Sequence, residues 1–169
     1  LGVTERVNLD VGDGRVSDTP ELRDRLIVEI RRLRPSIVLS HYWDDLHPDH
    51  AAAGQAVSNI MYPVGFANHP VGGEPHRPKE FLFFMAHYPF EPSFIVDVTG
   101  YWDVKEKAVR CYGSQLVGNG EGPPTNIGRP DFIQRLEARA RYFGTLIQTT
   151  HGEPLLTRRP VPMDDVVEH

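Results

Sequence analysis

Apolar positions recur along the chain in two rhythms, and their alternation outlines the elements. Leu22, Leu26, Ile30 and Leu33 fall at helical spacing, with Ile27 widening the stripe and arginines on the opposite face. Thr19-Pro20-Glu21 offers a hydroxyl cap, a first-turn proline and an early acid. Arg34-Pro35 ends that helix, because the residue before proline is pushed out of helical backbone. Ser36 to Ser40 is short and nearly all apolar, the pattern of a buried strand. Helical spacing returns from Ala51 to Tyr62, with the alanines, Val57, Ile60 and Met61 as packing face. Phe81 to Met85 and Phe94 to Val98 predict two further buried strands. Val104, Ala108, Val109 and Tyr112 predict a helix from Tyr101 to about Gln115. A last helix opens at Pro130-Asp131, with Phe132, Ile133, Leu136, Ala140, Phe143, Leu146 and Ile147 as a wide apolar stripe.

The connections are equally patterned. Leu1-Gly2-Val3 reads as the end of a helix with its glycine cap, which implies a leading segment before it. Val7-Asn8-Leu9 alternates as a short strand, and Asp10 to Asp18 is a loop. Pro63 to Pro78 and Val117 to Arg129 are Gly/Pro-rich loops of the length that often has a function. The tail after Gly152 reads as extended or frayed. A helix followed directly by a buried strand, with polar residues just past the strand, is the α/β layout, where ligands bind at that edge of the sheet. One domain is expected over residues 1–154, with a tail over 155–169.

Composition narrows the classes. The 169 residues carry 18 basic and 23 acidic groups, a net charge of −5, with no basic run, so nucleic acid is not an expected partner. The single cysteine, Cys111, excludes an intrachain disulfide, fits a reducing compartment and reads as a buried small hydrophobe. No apolar run reaches membrane-spanning length and no signal peptide opens the sequence, so a cytoplasmic protein with no membrane partner is expected.

The chemistry concentrates in His41-Tyr42-Trp43-Asp44-Asp45-Leu46-His47-Pro48-Asp49-His50. Three histidines and three carboxylates in ten residues are too many titratable groups for an ordinary connection. Pro48 suits the first position of a helix, and Asp49 puts negative charge where the helix dipole favours it. His47 and His50 then point to one side. Imidazole with carboxylate points to a metal, foremost Zn2+ with another divalent ion as the alternative. Such a centre suits hydrolysis of an amide or ester. Spacing alone leaves open whether both histidines bind metal or divide the work, and Asp44 with His47 and His50 is an equally readable ligand set. Asp49 can orient one imidazole. His41 at the strand end and His87 after the next strand are candidate substrate contacts, and Asp44 and Asp45 in the loop are candidates either for substrate contact or for supporting the metal ligands, weighed against solvated loop acids. Arg110 is a candidate for an acidic substituent, weighed against an exposed salt bridge.

His47-Pro48-Asp49-His50-Ala51, just past an apolar strand, resembles the second signature of the PIG-L/LmbE zinc-dependent N-acetylglucosamine deacetylases. Pro35-Ser36-Ile37-Val38, Pro92 to Val98, Lys107 to Gln115 and Ala138 to Gly144 are similar to the branch that includes bacillithiol-biosynthesis deacetylases. The resemblance runs from Leu1 to about Pro154. It implies a Rossmann-like three-layer α/β sandwich with a mostly parallel sheet, whose first strand and helix lie outside this sequence. It implies that His50 is a zinc ligand and that His47 is a general acid or oxyanion-stabilising group. Asp49 would hold that histidine's charge and orientation. The implied substrate is an N-acetylated glucosamine conjugate of the GlcNAc-malate kind, cleaved to acetate and a free amine, and the implied assembly is a homo-oligomer. The family's first signature, Ala-His-Pro-Asp-Asp-Glu, supplies two more ligands and the general base, and this sequence does not contain it. Two other readings therefore stand beside the deacetylase: a non-catalytic or assembly subunit of the same fold, and a metal-dependent hydrolase of another amide.

Overall fold

The computed structural model describes residues 2–116 and 127–162. Its elements, in chain order, are α1 (Pro20–Leu33), β1 (Ile37–His41), α2 (Pro48–Ile60), β2 (Glu80–Phe84), β3 (Phe94–Asp97), α3 (Trp102–Arg110), α4 (Gly113–Leu116), α5 (Phe132–Leu146) and β4 (Gly152–Leu156). Short 3-10 turns occupy Pro63–Gly65 and Thr99–Tyr101. These residues form two compact units, one of residues 7–93 with the chain from Leu155 on, the other of the N-terminal residues to Arg6 with Phe94–Pro154.

In the first unit β1 and β2 pair in parallel, Ile37 opposite Glu80 through His41 opposite Phe84. β2 pairs antiparallel with the end of β4, Phe83 opposite Leu156. The sheet is therefore mixed, with one parallel and one antiparallel register, in the expected Rossmann-like α/β class. Its core gathers Ile27 and Ile30 from α1, Val57 and Ile60 from α2, Val64, and Phe81 and Phe83 from β2. α1 starts where its signals place it: the Thr19 hydroxyl accepts from the Leu22 N–H at 3.3 Å. It stops at Arg34, whose backbone turns left-handed (φ 50°) before Pro35. β1 departs from expectation, because Ile37 and Leu39 stay exposed and only Ser40 is buried.

One arginine also contradicts the helical wheel. Arg31, expected on the solvent face of α1, is 4% exposed. Its guanidinium fans over the loop after α2, donating to the carbonyls of Val64 (3.1 Å), Phe66 (2.6 Å), Val71 (3.0 Å) and Gly73 (3.2 Å). Val7–Leu9 forms no strand, since three alternating residues cannot build a ladder, and the Leu9 carbonyl accepts from Arg25 instead.

In the second unit, β3 and the start of β4 accompany α3 and α5. Trp102 is buried and stacks on His151 with ring centroids 4.8 Å apart. Val96 and Asp97 are exposed, so β3 is half buried rather than buried. The expected helix to Gln115 breaks at Cys111, where the last turn tightens and the Tyr112 N–H reaches the Val109 carbonyl at 3.0 Å. Cys111 is exposed, not buried. α5 buries Ala140, Phe143 and Gly144, while Leu146 remains exposed. Residues expected to begin a frayed tail form β4. The Val117–Arg129 loop falls mostly outside the described residues.

Candidate active site

The site is built where β1 hands over to α2. Gly54 makes the handover close: a Cβ there would lie 2.5 Å from the His41 carbonyl oxygen and 2.8 Å from the Trp43 nitrogen. Only glycine lets the helix approach that backbone. His41 therefore ends the strand beside the first turns of α2, its ring stacked on His50 with centroids 4.1 Å apart. His50 also faces His47 at 4.8 Å and His87 at 5.3 Å, so it is the centre of a four-imidazole cluster.

His47 is the N-cap of α2, with extended backbone (φ −85°, ψ 122°) and Pro48 following in the first turn. Its Nδ1 accepts from the Asp49 N–H at 3.2 Å. A backbone N–H can only donate, so Nδ1 holds a lone pair and the neutral ring carries its proton on Nε2. His47 thus presents a donor. Asp49 meets His47 through this backbone N–H. Its carboxylate, expected to hold the imidazole, instead accepts from the Gly14 N–H at 2.7 Å and the Val16 N–H at 3.2 Å. The acid next to the histidines ties the 10–18 loop to the helix start.

Asp45 is enclosed, with no exposed side-chain surface. Its Oδ1 accepts from the His47 N–H (3.0 Å), His50 Nδ1 (3.0 Å) and His87 Nδ1 (2.8 Å). Its Oδ2 accepts from the His87 N–H at 2.9 Å. Burial by itself would raise the carboxyl pKa; the N–H groups of His87 and His47 and the His87 ring outweigh it and hold the group down to about 2. Asp45 is therefore ionised, and enclosed, so it is not the substrate contact the sequence suggested. His41 is also shifted down, which for an imidazole favours the neutral form. Burial, helped by the neighbouring His50, pushes its pKa down to about 4 against the opposing pull of Asp45. It is a neutral ring wedged between His50 and Phe84, whose centroid lies 4.7 Å away.

Of the other candidates, Asp44 is exposed, and the ligand set Asp44, His47 and His50 is not assembled. Among the described residues, Asp45, His50 and His87 form the group within reach of one cation, with ligand atoms within 4.8 Å of one another. Arg110 lies in the second unit and is held by Glu106 at 2.6 Å and 2.8 Å, the exposed salt bridge. The donor set fits a metal chemically, because two imidazoles and a carboxylate suit a borderline divalent ion. No sequence pattern announces the Gly14 and Val16 contacts or Arg158, which lies 3.9 Å over the Trp43 ring. A glycine in mid-helix was the available signal for Gly54.

Comparison with known proteins places this geometry. The family model described as GlcNAc-PI de-N-acetylase, PIG-L, matches residues 1–61, which include His41, Asp45, His47 and His50 of the cluster but not His87. A crystal structure of a conserved protein from Thermus thermophilus superposes with a TM-score of 0.86 at 32% identity, covering 98% of this chain and 70% of that one. The diacetylchitobiose deacetylase of Thermococcus kodakarensis is 35% identical over 124 residues, 69% of this chain and 45% of the relative. The chain belongs to the PIG-L (LmbE-like) deacetylase family. The N,N'-diacetylchitobiose deacetylase of Pyrococcus horikoshii has the same fold at a TM-score of 0.65 and 25% identity, over 88% of this chain and 54% of that protein. This chain thus spans less than half the length of the Thermococcus relative. Deacetylases of this family are typically metal-dependent. No helix among the described residues is long and apolar enough to cross a membrane.

Proposed function

We propose that the chain is the α2-bearing part of a metal-dependent N-deacetylase that hydrolyses the acetamide of an N-acetylated amino sugar. His50 is the protein's ligand from this region, and zinc is the ion its imidazole suits best. The chemistry available from such an ion is Lewis acidity, which polarises an amide carbonyl and makes water nucleophilic near neutral pH. His47 supplies the complementary group: its Nε2–H is a donor for the carbonyl oxygen as negative charge develops there, or for the departing amine. Asp49 caps the loop, and its N–H keeps His47 in the donating tautomer. The observation that carries this reading is the Asp49 N–H on His47 Nδ1, which gives the histidine its acidic face.

The substrate class follows from the two diacetylchitobiose deacetylases, and the finer expectation is a GlcNAc conjugate of the GlcNAc-malate kind. Acetate release from N,N'-diacetylchitobiose, GlcNAc and GlcNAc-malate, with zinc supplied and with the whole protein as encoded, tests it. His50→Ala is expected to lose stoichiometric zinc, and His47→Ala to keep zinc and lose turnover. Full zinc and full activity in His50→Ala would refute the assignment. Release of acyl groups from non-sugar amines alone would favour hydrolysis of another amide, and tight zinc without acetate from any substrate would favour a binding subunit.

A further inference from the structure

Asp45 is joined to three of the four residues whose imidazoles form the cluster. We infer that Asp45 is a positioning residue that fixes His50 and His87 in the Nδ1–H tautomer, turning both Nε2 lone pairs outward. It rests on the proposed function only in naming His50 as a metal ligand.

The donors decide it. A carboxylate offers about four lone-pair sites, and Asp45 meets four donors: the N–H groups of His47 and His87 and the Nδ1 atoms of His50 and His87. The backbone N–H of His47 reaches Oδ1 and that of His87 reaches Oδ2, and a backbone N–H can only donate, so both oxygens act as acceptors and each Nδ1 on Oδ1 carries the proton. In each neutral ring the lone pair is then on Nε2. The side chain has no exposed surface, so water cannot replace any of these partners. Oδ1, the oxygen that meets both rings, already takes three of these donors, so Asp45 stands behind the two Nδ1 atoms and leaves the Nε2 lone pairs to a cation. A carboxylate behind a metal-binding imidazole orients the ring and raises its basicity.

The same carboxylate spans two segments. His47 and His50 belong to the turn before α2 and to its start, while His87 comes from the connection after β2. His87 is gripped twice, through its backbone N–H and its ring. Asp45 therefore sets His87's place as well as its tautomer, making it an acceptor at the rim, complementary to the donor that His47 presents. A sugar hydroxyl, which donates, matches His87 Nε2; the acetamide oxygen, which accepts, matches His47.

Nitrogen-15 NMR of the imidazoles reads the tautomer directly. In the metal-free, 15N-labelled protein near neutral pH, His50 and His87, assigned with His50→Gln and His87→Gln, are expected to show protonated Nδ1. His47 should show protonated Nε2. Zinc saturation should leave the His50 Nδ1 proton in place. Asp45→Asn keeps the shape but turns one acceptor into a donor; both rings should lose the Nδ1–H preference and zinc affinity should fall about 10- to 100-fold. Nε2–H rings in the wild type, or an Nδ1 proton that disappears on zinc binding, would overturn the inference, the latter making Asp45 a ligand beside the ion. Unchanged tautomers and affinity in Asp45→Asn would overturn it as well. The wild-type spectra decide even if that variant does not fold, and they stand whether or not acetate is released.

Discussion

His47 does two jobs that a single substitution can separate. As N-cap it closes the first turn of α2, and in the proposed reaction it is the donor to the reacting carbonyl. Asparagine is among the best N-caps, whereas alanine cannot cap. His47→Asn is therefore expected to keep stability within about 0.5 kcal/mol of wild type and lose turnover, while His47→Ala also loses about 1 kcal/mol. Urea denaturation alongside acetate release checks the pair; His47→Asn that retains turnover would remove the imidazole from the chemistry. The cap itself was legible in the sequence, because Pro48 and Asp49 mark a helix start. The tautomer was not, since it depends on which backbone N–H reaches the ring. Asp45 was still less legible: its partner His87 is 42 residues away, and sequence spacing carries no information about that contact.

At the scale of elements, the contacts around α1 and α2 make three predictions. Gly54→Ala places a methyl against backbone of His41 and Trp43, which cannot swing aside. It should cost about 1–3 kcal/mol as an overpacking substitution, and denaturant unfolding measures it. Arg31→Lys keeps the charge but loses the planar fork that reaches four carbonyls of the loop after α2. A loss of about 3 kcal/mol, the upper end of common single-site effects, is expected, with the loop 63–78 exchanging amide hydrogens faster. Asp18 binds Arg23 of α1 through two contacts of 2.6 Å and accepts from Asn59 of α2 at 2.7 Å. The Arg23 hydrogen bond, against some burial, holds its pKa below the usual 3.8, with Asn59 assisting. A depressed carboxyl stabilises the fold above its unfolded pKa, and that contribution is lost as pH falls through the folded value. The stability advantage of wild type over Asp18→Asn should thus be full at neutral pH and shrink below pH 3.8; an advantage that grows on acidification would reverse the sign. These elements were the readable ones: the caps and apolar stripes of α1 and α2 lie within single segments. β4 was not, because Pro154 in a short run reads as a break; in the strand it lies just before Leu155 and Leu156, the residues that pair with β2. Arg31 was missed because a helical wheel sorts charges to solvent and cannot see a loop whose carbonyls need a donor.

For the molecule as a whole, the metal links chemistry to stability. An ion that binds the folded chain and not the unfolded one stabilises it by mass action, by about 2.7 kcal/mol when its free concentration is 100 times Kd. The imidazoles and Asp45 come from the β1–α2 turn and from the connection after β2, and the unfolded chain does not keep them together. Zinc should therefore raise the denaturant midpoint of the wild-type protein, with a dependence on the logarithm of zinc concentration once the site is saturated. His50→Ala should remove that dependence and also lower the zinc-free midpoint, because it takes a donor from the enclosed Asp45 carboxylate. Asp45→Asn should shift the dependence to about 10- to 100-fold higher zinc, because it weakens the ligand without deleting it. The two variants thus move different features of one curve. A zinc-dependent midpoint that survives in His50→Ala would locate the binding elsewhere on the chain and separate the histidine cluster from the metal altogether.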